Sequence, residues 1–334
     1  MGRKTFRKVI TSKEISEQIN PKNRKLINRF LKEKNTRCSD TTITNYKSDL
    51  EIFFTWNYLE NDDKFFIKIR KIELADFFAY CVEDLKWGSS RFARMRSCLS
   101  SLSEFIEKFY DEDYPEFRNI VLKAIESMPK AERRKKTVLS KEQVDNLLNY
   151  LSNELNNPQE ACLLALVISS GARKSELLRF DVNLIDENNL VFDDLFIKTK
   201  EDIKTKGRSK EGKLIPKYIY KKTFIDYYKA WLPVRKKIME ENGVEEHNKL
   251  FIRRDGQPIQ VAGVDRWIEK WEKYLGVPIY MHCFRHYLTT ELTRIGLEEG
   301  FIVELFGWSS HDMYNIYCDL TAEDKKWKSL DKLK

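Results

Sequence analysis

Five residues in the second half of the chain have side chains suited to breaking and remaking a phosphodiester. Arg173 stands in Gly171-Ala172-Arg173-Lys174-Ser175-Glu176-Leu177, and His282 and Arg285 stand in His282-Cys283-Phe284-Arg285-His286. Trp308 follows Gly307, and Tyr317 lies nine positions after Trp308. Phosphoryl transfer builds negative charge on non-bridging oxygens, and a guanidinium grips two such oxygens at once with a planar fork that stays protonated. His282, three residues before Arg285, shares its face of a helix, where an imidazole can take a proton or hydrogen-bond a phosphate. An indole N–H adds one more donor, and a phenolate attacking phosphorus would conserve the energy of the broken linkage in a phosphotyrosyl bond without metal or ATP. Taken singly, each is an ordinary residue: a surface arginine, a core tryptophan, one tyrosine among fifteen. The ordered set is not ordinary.

The set resembles the tyrosine recombinase (phage integrase) family. Val167 to Phe180 resembles the family's first arginine box, and His282 to Leu320 its second: His-x-x-Arg-His, a helix, Leu-x-Gly-Trp, then Ile316-Tyr317. Thr42 to Trp56 is similar to the helical core-binding domain of the same family. The resemblance implies Arg173 and Arg285 as the phosphate-gripping pair, Tyr317 as nucleophile and His282 as the proton-handling group. Trp308 fills a position held by histidine or tryptophan in the family. Glu176 resembles the acidic position that orients its neighbours, and His286 supports the geometry of the box. Tyr314 stands where the family usually has threonine and is the rival nucleophile. The family's general acid is a lysine on a β-hairpin. Thr205-Lys206-Gly207 most resembles its usual setting, with Lys204 and Lys210 as alternatives.

The elements that must position these residues are mostly helical. Thr42 can cap a helix carrying Tyr46, Leu50, Phe53 and Asn57. A second begins after Gly88-Ser89-Ser90, with Phe92, Met95, Leu99, Leu102, Ile106 and Phe109 as its apolar stripe and Arg91 and Arg94 off that stripe. Those arginines face a DNA backbone or plain solvent. Pro129 stops the preceding helix, and Lys130, Arg133, Arg134, Lys135 and Lys136 form a basic linker before the capping box Ser140-Lys141-Glu142-Gln143. Ala161 to Ser169 is an apolar run fit for a buried helix, ended by Gly171. Strand-like alternation occupies 189–219, interrupted by a charged, glycine-containing stretch from Lys198 to Lys213 that reads as a hairpin loop. Helices resume from Lys222. The expected fold is mainly α (α+β): a helical core-binding domain plus a mostly helical catalytic domain with a small antiparallel sheet. The expected divisions are a basic N-terminal arm over 1–38, a core-type DNA-binding domain over 39–128, a linker over 129–138, the catalytic domain over 139–318 and a tail over 319–334.

Bulk properties narrow the class. A chain of 334 residues, 42% hydrophobic, can bury two cores. It has no apolar run of membrane-spanning length and no leader pattern at its start, so a soluble, cytoplasmic, nucleoid-associated protein with no membrane partner is expected. Six scattered cysteines and four histidines lack metal-ligand spacing, which predicts neither disulfide frame, metal nor other cofactor. Net charge is +8, yet residues 1–37 alone hold 12 Lys/Arg against three acids, leaving the remainder about neutral. Such a segment suits phosphate neutralisation with counterion release. The expectation is a site-specific DNA recombinase, an integrase of a prokaryotic phage or mobile element. It would bind double-stranded DNA as a dimer to tetramer, with accessory DNA-bending proteins as further candidate partners. The alternatives are a catalytically silent DNA-binding repressor on the same fold and a type IB topoisomerase-like enzyme.

Overall fold

A computed structural model describes residues 9–129, 137–205, 207 and 211–320. Two compact units form, one around the helices before residue 130 and one around the elements after residue 136, each with its own apolar core.

The first unit is all helical: α1 (Lys13–Gln18), α2 (Pro21–Asn35), α3 (Asp40–Glu60), α4 (Lys71–Glu83), α5 (Ser89–Phe109) and α6 (Val121–Ala124). Polar caps set the starts. The Asn20 side chain accepts from Lys22 N, with Pro21 at the first helical position, where its missing N–H costs nothing. Ser39, not Thr42, caps α3: its Oγ accepts from Thr42 N, so the helix begins three residues earlier than the pattern suggests. On α5 the stripe is buried from Phe92 through Ile106, but Phe109 is 50% exposed because the helix outruns the core it packs on.

From Lys13 to Asn35 the basic N-terminal segment forms α1 and α2, and α2 is packed into the core. Leu26 and Phe30 lie one turn apart on α2 and are buried in the same core as Leu50, Phe53 and Phe77. Phe30 meets Tyr46 and Phe105 edge-to-face with ring centroids 5.3 and 5.6 Å apart. The packing therefore shows no boundary at residue 38. Charge dominates the composition of this segment, but an apolar pair spaced i, i+4 is enough to seat one face of a helix.

The second unit runs α7 (Lys141–Asn149), α8 (Pro158–Ser170), α9 (Lys174–Leu177), then β1 (Leu190–Val191), β2 (Phe196–Lys198), β3 (Ile203–Thr205), β4 (Lys213–Ile215) and β5 (Tyr218–Tyr220). It closes with α10 (Lys221–Glu241), α11 (Val261–Leu275), α12 (Met281–Arg294), α13 (Glu299–Leu305) and α14 (Asp312–Tyr317). The capping box opens α7 as the sequence predicts, with Gln143 N donating to Ser140 Oγ at 3.1 Å and Ser140 N to Gln143 Oε1 at 3.0 Å. Helix α8 is buried from Glu160 to Ser170 and packs against α10 and α12. Gly171, at φ 58°, ends it.

Strands β1, β2 and β5 make an antiparallel sheet in the order β1-β2-β5, with Ile197 opposite Ile219. Strands β3 and β4 pair separately, Lys204 opposite Leu214. The stretch from Lys198 to Lys213, read as a loop, thus contributes β3. Its charged residues hid a short strand whose Ile203 and Thr205 face inward. The fold class is as expected: mainly α, with small antiparallel sheets.

Candidate functional site

The site grows out of the turn that ends α8. Gly171 takes a left-handed conformation there, as helix C-termini favour, and a Cβ at this position would run into the Phe306 ring. The turn aims two things at once. The Gly171 carbonyl accepts from Arg285 Nη1 at 2.5 Å, and the chain two residues on presents Arg173 at the start of α9. Glu176, fully buried one turn into α9, closes back on Arg173: Oε2 accepts from Arg173 N at 3.0 Å and Oε1 from Arg173 Nη1 at 2.8 Å.

Arg285 lies on α12, 1% exposed, over an aromatic floor. Its guanidinium carbon stands 4.9 Å from the Phe306 ring centroid, 5.1 Å from Trp308 and 5.3 Å from Tyr317. The three rings form a stack: Phe306 on Trp308 at 4.8 Å and 20°, Trp308 on Tyr317 at 5.3 Å and 15°. Burial, then the neighbouring Arg173, lowers the pKa of Arg285, though not enough to discharge a guanidinium near neutrality. Arg285 Nε and Nη2 and Trp308 Nε1 are buried without a hydrogen-bond partner among the described residues. Unpaired buried donors are rare because each costs its desolvation, so a cluster of them beside a buried cation marks a place for an anion.

His282 lies in the first turn of α12 and is exposed. Partial burial and then the charges of Arg285 and Arg173 hold its pKa below 6.5. The two guanidiniums alone would push in that direction, so the imidazole is neutral at pH 7. His282 and Tyr317 meet edge-to-face at 6.4 Å. His286 is buried and also meets the Tyr317 ring, centroids 4.7 Å apart. Its Nδ1 lies 2.9 Å from Asp319 Oδ2, within ion-pair range but poorly aligned for a hydrogen bond. Asp319 N donates to Thr290 Oγ1 at 3.0 Å, so the chain beyond Tyr317 is tied back to α12.

Tyr314, the rival to Tyr317, occupies a different environment. It is buried, its hydroxyl pairs with Thr293 Oγ1 at 3.1 Å, and burial pushes its pKa up to about 12. Such a phenol is a poor source of phenolate.

The structure thus gathers Arg173, Glu176, His282, Arg285, His286, Trp308 and Tyr317 in one place. It adds a residue that the motifs did not single out. Lys217, 2% exposed, places Nζ 2.8 Å from Glu176 Oε2. A period-2 signal pointed to it: Ile215, Lys217 and Ile219 alternate inward, and all three are buried. Of the hairpin lysines, Lys204 is exposed on β3 with its carbonyl bonded to Arg179 Nη1. Lys206 and Lys210 lie outside the described residues, as do Arg133, Arg134, Lys135 and Lys136. In the first unit, Arg91 and Arg94 converge on the buried carboxylate of Asp49. Arg94 reaches it through Nε at 3.0 Å and Nη2 at 2.9 Å, while Arg91 pairs with Oδ1 and stacks on Trp87 at 4.5 Å. They are ordered donors and not free surface arginines.

Residues 137–324 match the profile of the phage integrase family. The chain belongs to this family, the tyrosine recombinases. It is 28% identical over 285 residues to the tyrosine recombinase XerC of Thermodesulfovibrio yellowstonii, covering 84% of this chain and 85% of that one. It is 23% identical over 289 residues to XerD of Oceanobacillus iheyensis, covering 85% and 89%. Among solved structures, the fold matches XerH site-specific recombinase bound to a palindromic difH substrate, with a TM-score of 0.66 at 18% identity over 86% of this chain and 79% of that one. It also matches a lambda integrase tetramer bound to a Holliday junction, with a TM-score of 0.62 at 17% identity over 89% and 77%. Among the described residues, no helix is long and apolar enough to cross a membrane.

Proposed function

We propose that the protein is a site-specific DNA recombinase, an integrase of a phage or mobile element, that cleaves and rejoins strands through a 3′-phosphotyrosyl intermediate. The observation that carries this reading is the set of unpaired buried donors on Arg285 and Trp308 directly over the Tyr317 ring. They suit the non-bridging oxygens of a scissile phosphate, with Arg173 as the second guanidinium. The neutral His282 takes the phenol's proton or braces the phosphate. Tyr317 Oη forms a bond to phosphorus as the bond from phosphorus to the 5′ oxygen breaks, and that oxygen leaves with a proton from a hairpin lysine, Lys206 first. The freed 5′ hydroxyl of a partner strand then attacks the phosphotyrosine and releases the enzyme. No metal or other cofactor takes part.

Arg91 and Arg94, the basic linker Arg133 to Lys136, and Lys204 and Lys210 hold the duplex backbone. The protein works as a dimer to tetramer on paired half-sites, exchanges strands through a Holliday junction, acts in the cytoplasm on nucleoid DNA, and recruits DNA-bending accessory proteins. Named relatives captured on a difH site and as a tetramer on a junction support the DNA and assembly parts of this reading.

The test is a covalent trap on nicked suicide duplexes, built from fragments that the protein selects from genomic DNA. Adduct that survives denaturation, persists in Tyr314→Phe and vanishes in Tyr317→Phe is the expected result. Tight sequence-specific binding without adduct at any nick position would instead make this a DNA-binding regulator on a recombinase fold.

A further inference from the structure

Lys217 is a costly residue to bury. Its backbone is pinned in both directions to Thr199, with Lys217 N donating to Thr199 Oγ1 at 2.9 Å and Thr199 N to Lys217 O at 2.9 Å. This fixes the side chain inward, between the apolar neighbours Ile215 and Ile219. At its end lies Glu176, the carboxylate that also holds Arg173. Burial by itself would raise the Glu176 pKa, but Lys217 and Arg173 together hold it at about 2. Burial lowers the pKa of Lys217, with Glu176 opposing and Arg285 and Arg173 adding to the shift, so the ammonium feels the whole cluster.

Without Lys217, Glu176 would spend its full charge on Arg173, the residue that must attract phosphate. With Lys217 in place, two guanidiniums and one ammonium stand against one carboxylate. We propose that Lys217 is a positioning residue that neutralises Glu176 and so keeps Arg173 both oriented and electrostatically free for a phosphate. The proposal rests on the recombinase reading of this site. A phosphodiester carries one negative charge and its pentacoordinate state carries more, so the extra positive charge matters most at the transition state. Lys217 acts through Glu176 and hands no proton to the leaving group.

The test uses the full chain and two readouts. The first is single-turnover adduct formation on a nicked duplex. Lys217→Met should slow it on the order of a hundredfold, as removal of one preorganised electrostatic group does, and Lys217→Arg should recover most of the rate. Adding Glu176→Gln to Lys217→Met should also restore cleavage, because no carboxylate is then left to need a counter-charge. A 5′-bridging phosphorothiolate substrate, whose sulfur leaves without a proton, should not rescue Lys217→Met. Rescue there would overturn the proposal by making Lys217 the general acid, and an unchanged rate in a folded Lys217→Met would overturn it outright. Should Lys217→Met fail to fold, the Lys217→Met/Glu176→Gln and Lys217→Arg variants decide, since slow cleavage in both would overturn it.

The second readout needs no DNA. Inorganic sulfate is titrated into the protein while the Trp308 indole N–H resonance, assigned with Trp308→Phe, is followed by NMR. Lys217→Met should weaken sulfate binding about tenfold or more. If sulfate binds in this Lys217-dependent way while no adduct ever forms, the recombinase reading fails and the role of Lys217 stands. Sulfate binding that is indifferent to Lys217 overturns the proposal alone, and an unmodified protein that binds no sulfate at Trp308 overturns both.

Discussion

Side chains within one turn of each other in this site do opposite things. Tyr317 lies on the stack under Arg285, whereas Tyr314 is sealed against Thr293 with its pKa raised to about 12. Tyr314→Phe should therefore leave adduct formation intact and cost about 1 kcal/mol of stability, the worth of one hydrogen bond, measured by denaturant unfolding. On the proposed reading, His282 sets the acid side of the activity profile. Because its pKa is depressed below 6.5, the neutral ring persists as pH falls through that value. The midpoint of the acid-side decline in adduct formation should lie below pH 6.5, and His282→Gln should remove that decline. Glu176 is depressed too, but as a carboxyl it is held in its charged form. Its folded pKa of about 2 against an ordinary 4.5 means that its stabilisation is complete above pH 4.5 and is lost as pH falls toward 2. Glu176→Gln should cost roughly 3 kcal/mol at pH 7, and unfolding curves of the two proteins should converge in acid.

At the level of elements, two helix ends decide where the site residues point. Gly171 ends α8 and Gly307 follows α13, both with φ near 60° (58° and 61°), and a Cβ on either would collide with Phe306 or Ile215 respectively. An alanine at Gly171 or Gly307 should lower stability by about 1–2 kcal/mol from the backbone alone, with more from the displaced neighbour, as read by thermal unfolding. Gly171→Ala should in addition slow cleavage, since the Gly171 carbonyl holds Arg285. Much of this was legible in the sequence. The apolar run to Ser169, its glycine stop and the capping box at Ser140 are all local signals, written within a few residues of where they act. The strand β3 was not legible, because its inward residues sit among charges and only pairing with β4 reveals them. The start of α3 differs from the pattern for a local reason: Ser39 and Thr42 are both competent caps, and Ser39 Oγ takes the Thr42 N–H.

Across the whole molecule, charge and core overlap where the composition suggested they were separate. Helix α2 exposes Lys22, Arg24, Lys25, Arg29 and Lys32 while its opposite face is buried. Deleting residues 1–37 would remove Leu26 and Phe30 along with the charge, so a loss of DNA binding could reflect unfolding. Neutralising Arg24, Lys25, Arg29 and Lys32 to glutamine is the cleaner experiment. The slope of log affinity against log salt should fall by about 0.9 for each phosphate no longer neutralised, and an unchanged slope would take α2 out of the DNA interface.

The sequence by itself determined the family and the mainly helical class, and it put forward Arg173, His282, Arg285, Trp308 and Tyr317 as the candidate set. Ordered motifs and short-range periodicity carry that information without any folding. Only the tertiary structure decided which basic residues matter to one another. Lys217 and Glu176 are 41 positions apart, Arg285 and Gly171 114, and Arg94 and Asp49 45. A lysine is marked in sequence only by its charge, which this chain carries everywhere. What distinguishes Lys217 is the desolvation that the surrounding fold imposes and the one carboxylate placed there to answer it.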